Sequence, residues 1–407
     1  MEETALPRDD TDTAAWPATS IERAGIYTTC GFLDDDEADR VHGIVSSTHV
    51  RDGRILSSRT GDREPWNPPH SRAILRQGDL AVVLVRRVGD SAPVTAEHAG
   101  WTATRSIGII RTEPHLAKWL RIWLQTPTAR AWIDGEVTAH VEPTISIGAL
   151  RDMLFPLPPN DVISAYHRVF SLIEELTARR RDIARIATET ADALHADWAA
   201  TVPSRETHSL ADVAKLRTGK GSERTIRSQT AEPDVGVIAP SDLFGLPAPH
   251  LEGFRLMGSE DSGETYPPGT LMVSTRPDGA HVAVIHRLAR PLRSVVAVRP
   301  AKEEDRWWLL HELRSRSADI TQRTQGRNGR EISAAALKRQ KVTWPDEFTR
   351  AEFHATADPL HTVARELLSR IATLHSLRDA LLHDISAKAG VLRQPTASQK
   401  EDGARPS

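Results

Sequence analysis

The stretch Ile145-Ser146-Ile147-Gly148-Ala149-Leu150, running on to Phe155-Pro156-Leu157-Pro158, has a counterpart 187 residues later. There Ile332-Ser333-Ala334-Ala335-Ala336-Leu337 runs on to Trp344-Pro345 with the same internal spacing of Ile-Ser, Leu and Pro. Working upstream, Trp119-Leu120 with Ala129 matches Trp308-Leu309 with Ala318 at an offset of 189. Gly78-Asp79-Leu80 matches Gly269-Thr270-Leu271 at 191, and Ser20-Ile21-Glu22-Arg23-Ala24 faces Ser209-Leu210-Ala211-Asp212-Val213 at 189. A drift of a few residues fits a duplicated domain that has gained and lost loop residues. Two copies of one domain imply two copies of one task, and the residues point to binding rather than catalysis.

A chain of 407 residues has room for two domains of ordinary size. Hydrophobic content of 39% and charged content of 26% are globular values. A single cysteine, Cys30, excludes an internal disulfide framework and fits a reducing cytoplasm. Met1-Glu2-Glu3 opens on acidic residues with no apolar run behind them, unlike a secretory signal. No stretch approaches the ~18 apolar residues that span a bilayer, so a soluble cytoplasmic protein without a membrane partner is expected.

The net charge of −3 is not that of a generic polyanion binder. The halves differ: residues 1–160 carry 17 Lys+Arg against 22 Asp+Glu, and residues 204–345 carry 22 against 17. Of the basic residues 44 are Arg and 8 are Lys, a bias that favours bidentate contacts to phosphate or guanine. High-GC coding raises Arg equally well, so charge permits nucleic-acid binding without demonstrating it.

Each copy opens with a mixed region of short β-like runs, such as Leu80-Ala81-Val82-Val83-Leu84-Val85 and Ser294-Val295-Val296-Ala297-Val298, separated by turn residues. Within it lies a short helix with paired tryptophans, Leu116 to Ala131 in one copy and Trp307 to Ile320 in the other. Trp119, Trp123, Trp307 and Trp308 fall at helical spacings and read as core residues. A long helix follows the proline in each copy, expected from about Ala165 to Trp198 and from about Pro359 to Ala389. The first spaces Val169, Ile173, Leu176, Ile183 and Leu194 at 4-3 intervals, and the second Leu360, Leu367, Ile371, Leu374, Leu381 and Ile385. So narrow an apolar seam predicts two helices zipped against each other, the first about 50 Å long. The alternative is a pair of amphipathic helices lying along their own domains. The expected fold is therefore α+β with a pseudo-two-fold internal repeat: residues 16–160 and 201–352 are two β-rich mixed domains. They are separated by an antiparallel pair of long helices, 161–200 and 353–390. The tails, 1–15 and 391–407, read as disordered.

A β-rich domain, a Gly-containing loop into Ile-Ser-x3-Leu, and a Pro-Leu-Pro-Pro entry to a long helix, all repeated once, resemble the specificity subunit of type I restriction–modification systems. The residues that carry the likeness are Glu136 to Leu150 with Phe155-Pro156-Leu157-Pro158-Pro159, and Thr324-Gln325-Gly326-Arg327-Asn328-Gly329-Arg330-Glu331-Ile332-Ser333 with Leu337 and Trp344-Pro345. Ser209-Leu210-Ala211-Asp212-Val213 with Thr218-Gly219-Lys220-Gly221 resembles the opening of a target recognition domain. The likeness covers roughly residues 16–390. It implies two target recognition domains that read a bipartite site in double-stranded DNA, no cofactor in this chain, and docking of two methyltransferase subunits and a restriction/translocase subunit. S-adenosylmethionine, ATP and Mg would then sit on those partners. The first copy departs from the pattern: it has Thr29-Cys30-Gly31 at the opening, the acidic run Asp34-Asp35-Asp36-Glu37, and Val137-Thr138-Ala139-His140 in place of the Gly-rich loop. Those departures leave open a second reading, a protein–protein scaffold or adaptor of a phage-defence complex that has kept the architecture without sequence reading.

Catalytic patterns are largely missing. Asn67-Pro68-Pro69-His70 is near the Asn-Pro-Pro-aromatic motif of adenine methyltransferases but has His for the stacking aromatic, and no Gly-rich turn precedes it. None of the 8 lysines follows a carboxylate by two residues, as metal-dependent nucleases of the Asp/Glu-x-Lys type require. No Gly-x4-Gly-Lys-Ser/Thr loop is present, His311-Glu312 lacks the second His of a zinc helix, and one cysteine makes no zinc cluster. His361, His375 and His383 drift around helix two and read as solvated or packing residues.

What remains suits DNA reading. Lys220, Arg224 and Arg227 lie on a flexible segment able to follow phosphates. Arg276 and His281 flank a turn after a β-like run. Arg323, Gln325, Arg327, Asn328 and Arg330 combine backbone freedom with side chains that pair bidentately with guanine and adenine. In the first copy the counterparts are Arg51, Arg54, Arg86, Arg87 and Arg105, beside Arg59, Arg63 and Arg72. Any single one of these arginines reads equally as a solvated surface cation.

Overall fold

The structure is a computed structural model; it describes residues 15–32, 43–56, 71–138, 142–202, 207–220, 231–251, 255–258, 264–276, 280–322 and 332–390. The chain divides into two compact units, Met1–Leu172 with Ser376–Ser407, and Ile173–His375.

In the first unit the strands are β1 (Ala18–Ser20), β2 (Tyr27–Cys30), β3 (Ile44–Val45), β4 (Val50–Arg51), β5 (Arg54–Ile55), β6 (Leu80–Val83), β7 (Ser91–Pro93), β8 (Thr102–Ala103), β9 (Ile107–Arg111) and β10 (Leu154–Pro156). Helices α1 (Pro114–Trp123), α2 (Pro127–Glu136) and α3 (Ile147–Asp152) precede β10, and the long α4 (Asn160–Thr201), of which the residues up to Leu172 belong to this unit and the rest to the second, follows it. An antiparallel sheet has the order β2-β9-β6-β7, and β1 pairs with β10. Strand β6 is apolar throughout because both its faces are covered. Leu80 and Val82 turn toward Trp119 and Trp123 of α1, whereas Ala81 and Val83 enter a second core with Ile107 and Ile109.

The second unit repeats the plan. Its strands are β11 (Thr207–Ser209), β12 (Ala214–Thr218), β13 (Ala231–Ile238), β14 (His250–Leu251), β15 (Arg255–Gly258), β16 (Leu271–Ser274), β17 (Val282–Ile285), β18 (Ala289–Pro291), β19 (Val295–Pro300) and β20 (Lys341–Thr343). Its helices are α5 (Leu210–Val213), α6 (Arg306–Ser315), α7 (Ser317–Gln322), α8 (Ala334–Lys338) and the part up to His375 of the long α9 (Glu347–Lys388). The sheet order is β12-β19-β16-β17-β14, and β11 pairs with β20. Here Leu271 and Val273 face Trp307 and Trp308, while Met272 faces the other core.

The duplication holds at the level of single bonds. Ser146 caps α3 by accepting from Ala149 N at 3.0 Å, and Ser333 caps α8 by accepting from Ala336 N at 3.1 Å. Trp119 Nε1 donates to the Pro156 carbonyl at 2.7 Å, and Trp308 Nε1 to the Thr343 carbonyl at 2.9 Å. Ile145 N bonds Leu84 O, as Ile332 N bonds Thr275 O. Gly78 and Gly269 both turn at positive φ, 91° and 86°, a backbone region open to glycine. All four expected core tryptophans are buried.

The long helices differ from expectation in extent and in seam. Both are 42 residues long. The second begins at Glu347, where Asp346 accepts from Thr349 N at 2.9 Å as the N-cap. Pro359 lies inside it, not at its start. The buried Phe353 and Ala357 before Pro359, with His361 and Ala364 after it, pin the helix through the missing hydrogen bond. On α4, Val169 and Ile183 are exposed, contrary to the 4-3 reading, while Ile173 is buried and Leu176 and Leu194 are half-buried. In the second unit the contact face is one of small residues: Ala184 and Ala187 pack with Ala364, Leu360 and Leu367. Small side chains let two helices approach closely, so the face was offset from the larger residues that the spacing selects. Arg180 reaches the Arg370 carbonyl while Trp198 packs on Phe353, so these two segments run antiparallel. The remaining seam positions Ile371 and Ile385 are buried, and Leu360, Leu367, Leu374 and Leu381 half-buried. Among the described residues no helix is long and apolar enough to cross a membrane.

Candidate nucleic-acid interface

Strands β12 and β16 both pair antiparallel with β19, so their C-terminal ends lie at the same end of the second sheet. Thr218 stands opposite Val296 and Ser274 opposite Val295. Lys220 leaves the sheet from the first of these ends and Arg276 from the second, and both side chains are exposed. His281 immediately precedes the return strand β17, its carbonyl accepting from Ser274 N at 2.8 Å. Ile332, the first residue after the Gly-rich stretch, bonds the Thr275 carbonyl at the same place. Three segments far apart in sequence thus start or end around one strand end. Arg224, Arg227, Arg323, Gln325, Arg327, Asn328 and Arg330 lie outside the described residues.

The chain leaves β12 over a tight contact. Gly219 N donates to Val295 O at 2.9 Å, and a Cβ on Gly219 would sit 2.2 Å from the Leu292 carbonyl oxygen. Beside it is a cavity of about 260 Å³ lined by Lys220, Glu264, Tyr266 and Arg290. Burial pushes the Tyr266 hydroxyl far above its usual range, and the hydrogen bond to Glu264 adds to that. Tyr266 therefore serves this cavity as a neutral hydroxyl. His281 contacts Phe244 edge-on at 4.6 Å and borders a larger cavity of about 520 Å³ with Asp192 and Arg314 on its wall. Burial works to raise the Asp192 carboxyl, but hydrogen bonds from His311 and Arg314 outweigh it and hold it well below the carboxylate range.

The first unit has the same strand end with different chemistry. Gly31 N donates to Ile107 O at 3.1 Å, matching Gly219, and a Cβ there would meet the Ala103 and Thr104 carbonyl oxygens at 2.0 and 2.1 Å. The Gly of Thr29-Cys30-Gly31 is thus the structural counterpart of Gly219, a correspondence hidden by the different flanking residues. The expected cations are mostly engaged. Arg86, at φ 71°, donates two hydrogen bonds to Glu142 Oε1 at 2.9 and 3.1 Å. Arg87 donates to the Ser47 and Val50 carbonyls at 2.8 and 2.6 Å and so braces the turn ahead of β4. Arg105 donates to the Phe32 carbonyl at 2.9 Å. Arg51 and Arg54 face each other across the β4–β5 hairpin, both exposed, with the turn made by Asp52 and Gly53 at positive φ.

No protein-family model matches the chain, and no curated protein sequence matches it. The chain aligns along most of its length with several solved structures. Two of them are type I restriction–modification S subunits. The one from M. genitalium aligns over 93% of this chain and 98% of its own at 12% identity and TM-score 0.49. The HsdS subunit from Thermoanaerobacter tengcongensis aligns over 93% and 97% at 17% identity and TM-score 0.32. A third, from a study of complex assembly and conformational transition of the type I system, aligns over 93% and 98% at 18% identity and TM-score 0.41.

Proposed function

We propose that this chain is a non-catalytic DNA sequence-recognition subunit of a type I restriction–modification complex, acting in the cytoplasm. Each unit reads one half of a bipartite DNA site. The observation that carries the reading is the gathering of Lys220, Arg276, His281 and the end of the Gly-rich stretch around one end of the β12-β19-β16 sheet. The matching strand end in the first unit supports it. Cationic side chains such as Lys220 and Arg276 on such an edge suit phosphate contact and base-edge readout. The exposed apolar residues Ile183 and Ile186 of the second unit, with Val169 and Leu172 of the first, suit docking of partner proteins. Those partners are two methyltransferase subunits, which carry S-adenosylmethionine and flip the adenine, and an ATP- and Mg-dependent restriction/translocase subunit.

A specific observation favours the second reading for the first unit alone. Its strand-end cations Arg86, Arg87 and Arg105 are engaged by Glu142 and by backbone carbonyls, and residues 1–160 carry net charge −5. In that reading the first unit is a protein–protein scaffold and the second reads DNA alone.

The test is co-purification with the methyltransferase, followed by mapping of methylated adenines in cells with and without this chain. A bipartite motif that disappears on deletion supports two readers, and loss of a single half-site motif supports one. Methylation that persists unchanged would overturn both. Within the proposal, Arg327→Ala with Asn328→Ala relaxes one half-site and leaves assembly intact.

A further inference from the structure

The second unit buries a row of imidazoles that DNA reading does not use. Asp192 of α4 lies 2.6 Å from His311 Nδ1 on α6. His311 Nε2 meets His361 Nε2 of α9 at 2.9 Å, and His361 Nδ1 meets His250 Nε2 of β14 at 3.1 Å. His250 Nδ1 meets His286 Nε2, just past β17, at 2.9 Å. The row joins both long-helix segments of this unit to its sheet. His250, His311 and His361 are at most 3% exposed, and His286 is half-buried. The Trp307 ring stacks on His361 at 3.8 Å and 11°.

Hydrogen-bond logic assigns every proton in the row. Arg314 donates to both Asp192 oxygens, at 3.0 and 2.7 Å, so the carboxylate is anionic and only accepts. His311 must then carry its proton on Nδ1 and accept at Nε2. It follows that His361, His250 and His286 each carry theirs on Nε2, all donating toward Asp192. One extra proton is tolerated anywhere in the row. The ring that receives it donates in both directions, and the rings on the His286 side reverse and donate outward. Two extra protons are not tolerated. Between two imidazoliums some pair of rings must face N–H against H–N, because a neutral imidazole has one acceptor nitrogen.

The surroundings add little negative charge. On α4 the facing groups are Asp192 and His195, the latter stacked 6.0 Å from His311. On α6 they are Arg306 and Arg314, with Glu312 turned to His195 at 3.5 Å and bonded by Arg316. On α9 they are His354, which stacks on Trp307, Asp358, which accepts from Trp307 Nε1, and Arg365 beside His250 and His286. Successive bonds of His250 and His361 use opposite nitrogens, so no three nitrogens converge on one point. Among the described residues no His, Cys, Asp and Glu group is arranged to hold a metal.

We propose that Asp192, His311, His361, His250 and His286 form a pH-gated latch within the second unit. It holds that unit's segments of α4 and α9 on the sheet with zero or one excess proton, and it opens on uptake of the second. Burial is the main cause that lowers His250 to about 3 and His286 to about 4, and it lowers His311 and His361 as well. The open state therefore takes up the protons as the pH falls below about 6.5.

The test uses the full chain labelled with ¹⁵N-histidine. At pH 7.5, imidazole NMR with resonances assigned by single His→Gln variants should find His311 protonated on Nδ1 and the other three on Nε2. Hydrogen exchange of the segments 306–315 and 356–365, corrected for intrinsic pH dependence, should then show an opening constant that rises at least 100-fold per pH unit between pH 6.5 and 5. A different tautomer pattern would overturn the latch. So would a rise of tenfold per unit or less, or segment 107–111 of the first unit opening in step.

Discussion

Asp305 and Arg350 are joined through Oδ1 and Nε at 2.6 Å with both side chains buried, while the first unit holds two apolar residues at the equivalent positions. The offset of 189 that equates Trp119 with Trp308 equates Leu116 with Asp305, and the offset of 187 that equates Pro158 with Pro345 equates Ile163 with Arg350. Ile163 lies in one hydrophobic cluster, and the half-buried Leu116 packs against it. The equivalent positions thus hold a buried ion pair in one unit and two apolar residues on one core in the other. Because desolvation offsets most of the attraction in a buried pair, breaking it is costly but replacing it is not. Asp305→Ala or Arg350→Ala should each destabilise the second unit by about 3–5 kcal/mol, whereas Asp305→Leu with Arg350→Ile should be neutral or stabilising. Urea unfolding measures all three, and a double variant as damaged as the singles would reject the equivalence.

Gly31 and Gly219 each leave no room for a Cβ against neighbouring carbonyl oxygens. Gly219→Ala and Gly31→Ala should therefore each cost about 1–3 kcal/mol through forced backbone shifts. Gly148→Ala is the control, since an added Cβ there meets nothing closer than the Ser146 hydroxyl at 3.6 Å. Calorimetric melting should show losses for the first two and little change for the control; a Gly219→Ala chain of unaltered Tm would refute the close approach.

Arg276 and Arg87 should part company in DNA binding. Arg276 is exposed at the strand end of the second unit, and Arg87 is bonded to two carbonyls inside the first. Arg276→Ala should weaken DNA binding by the assembled complex and reduce the salt-dependence slope by about one. Arg87→Ala should lower stability by about 1–3 kcal/mol, from carbonyls left without their donor, and keep the slope. Binding isotherms over a salt series separate the two, and an unchanged slope for Arg276→Ala would remove it from the interface.

Acid should destabilise the second unit as a whole. Burial lowers His195 and His250 to about 3 and His286 to about 4 from an unfolded value near 6.5. These are depressed folded values, so the stability they contribute is fully present above pH 6.5 and is lost as the pH falls toward 3–4. Each histidine costs about 1.4 kcal/mol per pH unit inside that window. Chemical unfolding at pH 7.5, 6.0 and 5.0 should show the loss beginning below 6.5, and constant stability down to pH 5 would contradict the buried neutral state of these rings.

Much of this was legible in the residues because it depends on local pattern. The Ile-Ser-x3-Leu frame marks a helix cap and a buried leucine, and the structure places Ser146 and Ser333 as caps with Leu150 and Leu337 in their cores. The tryptophans at helical spacing were legible as core for the same reason. At Ile183 the seam departs from hydrophobic spacing because spacing favours the largest residues, whereas close packing in the second unit selects Ala184, Ala187 and Ala364; Val169 in the first unit is exposed as well. Gly31 was obscured by its flanking residues, which differ from those of Gly219 although the approach to carbonyl oxygens is the same.

A duplicated α+β chain can be read from the residues alone, because caps, turns and apolar periodicity act over a few residues and leave a mark at fixed spacing. Which polar groups meet depends on how the chain is folded. Arg87 and Arg276 look alike as residues, yet one is bound to carbonyls 37 and 40 positions away and the other stands free of the sheet end. His311 and His361 are 50 residues apart and share a hydrogen bond. Such partners are fixed by strand order and helix packing, which place distant residues within a few ångströms and carry no periodic signature along the chain.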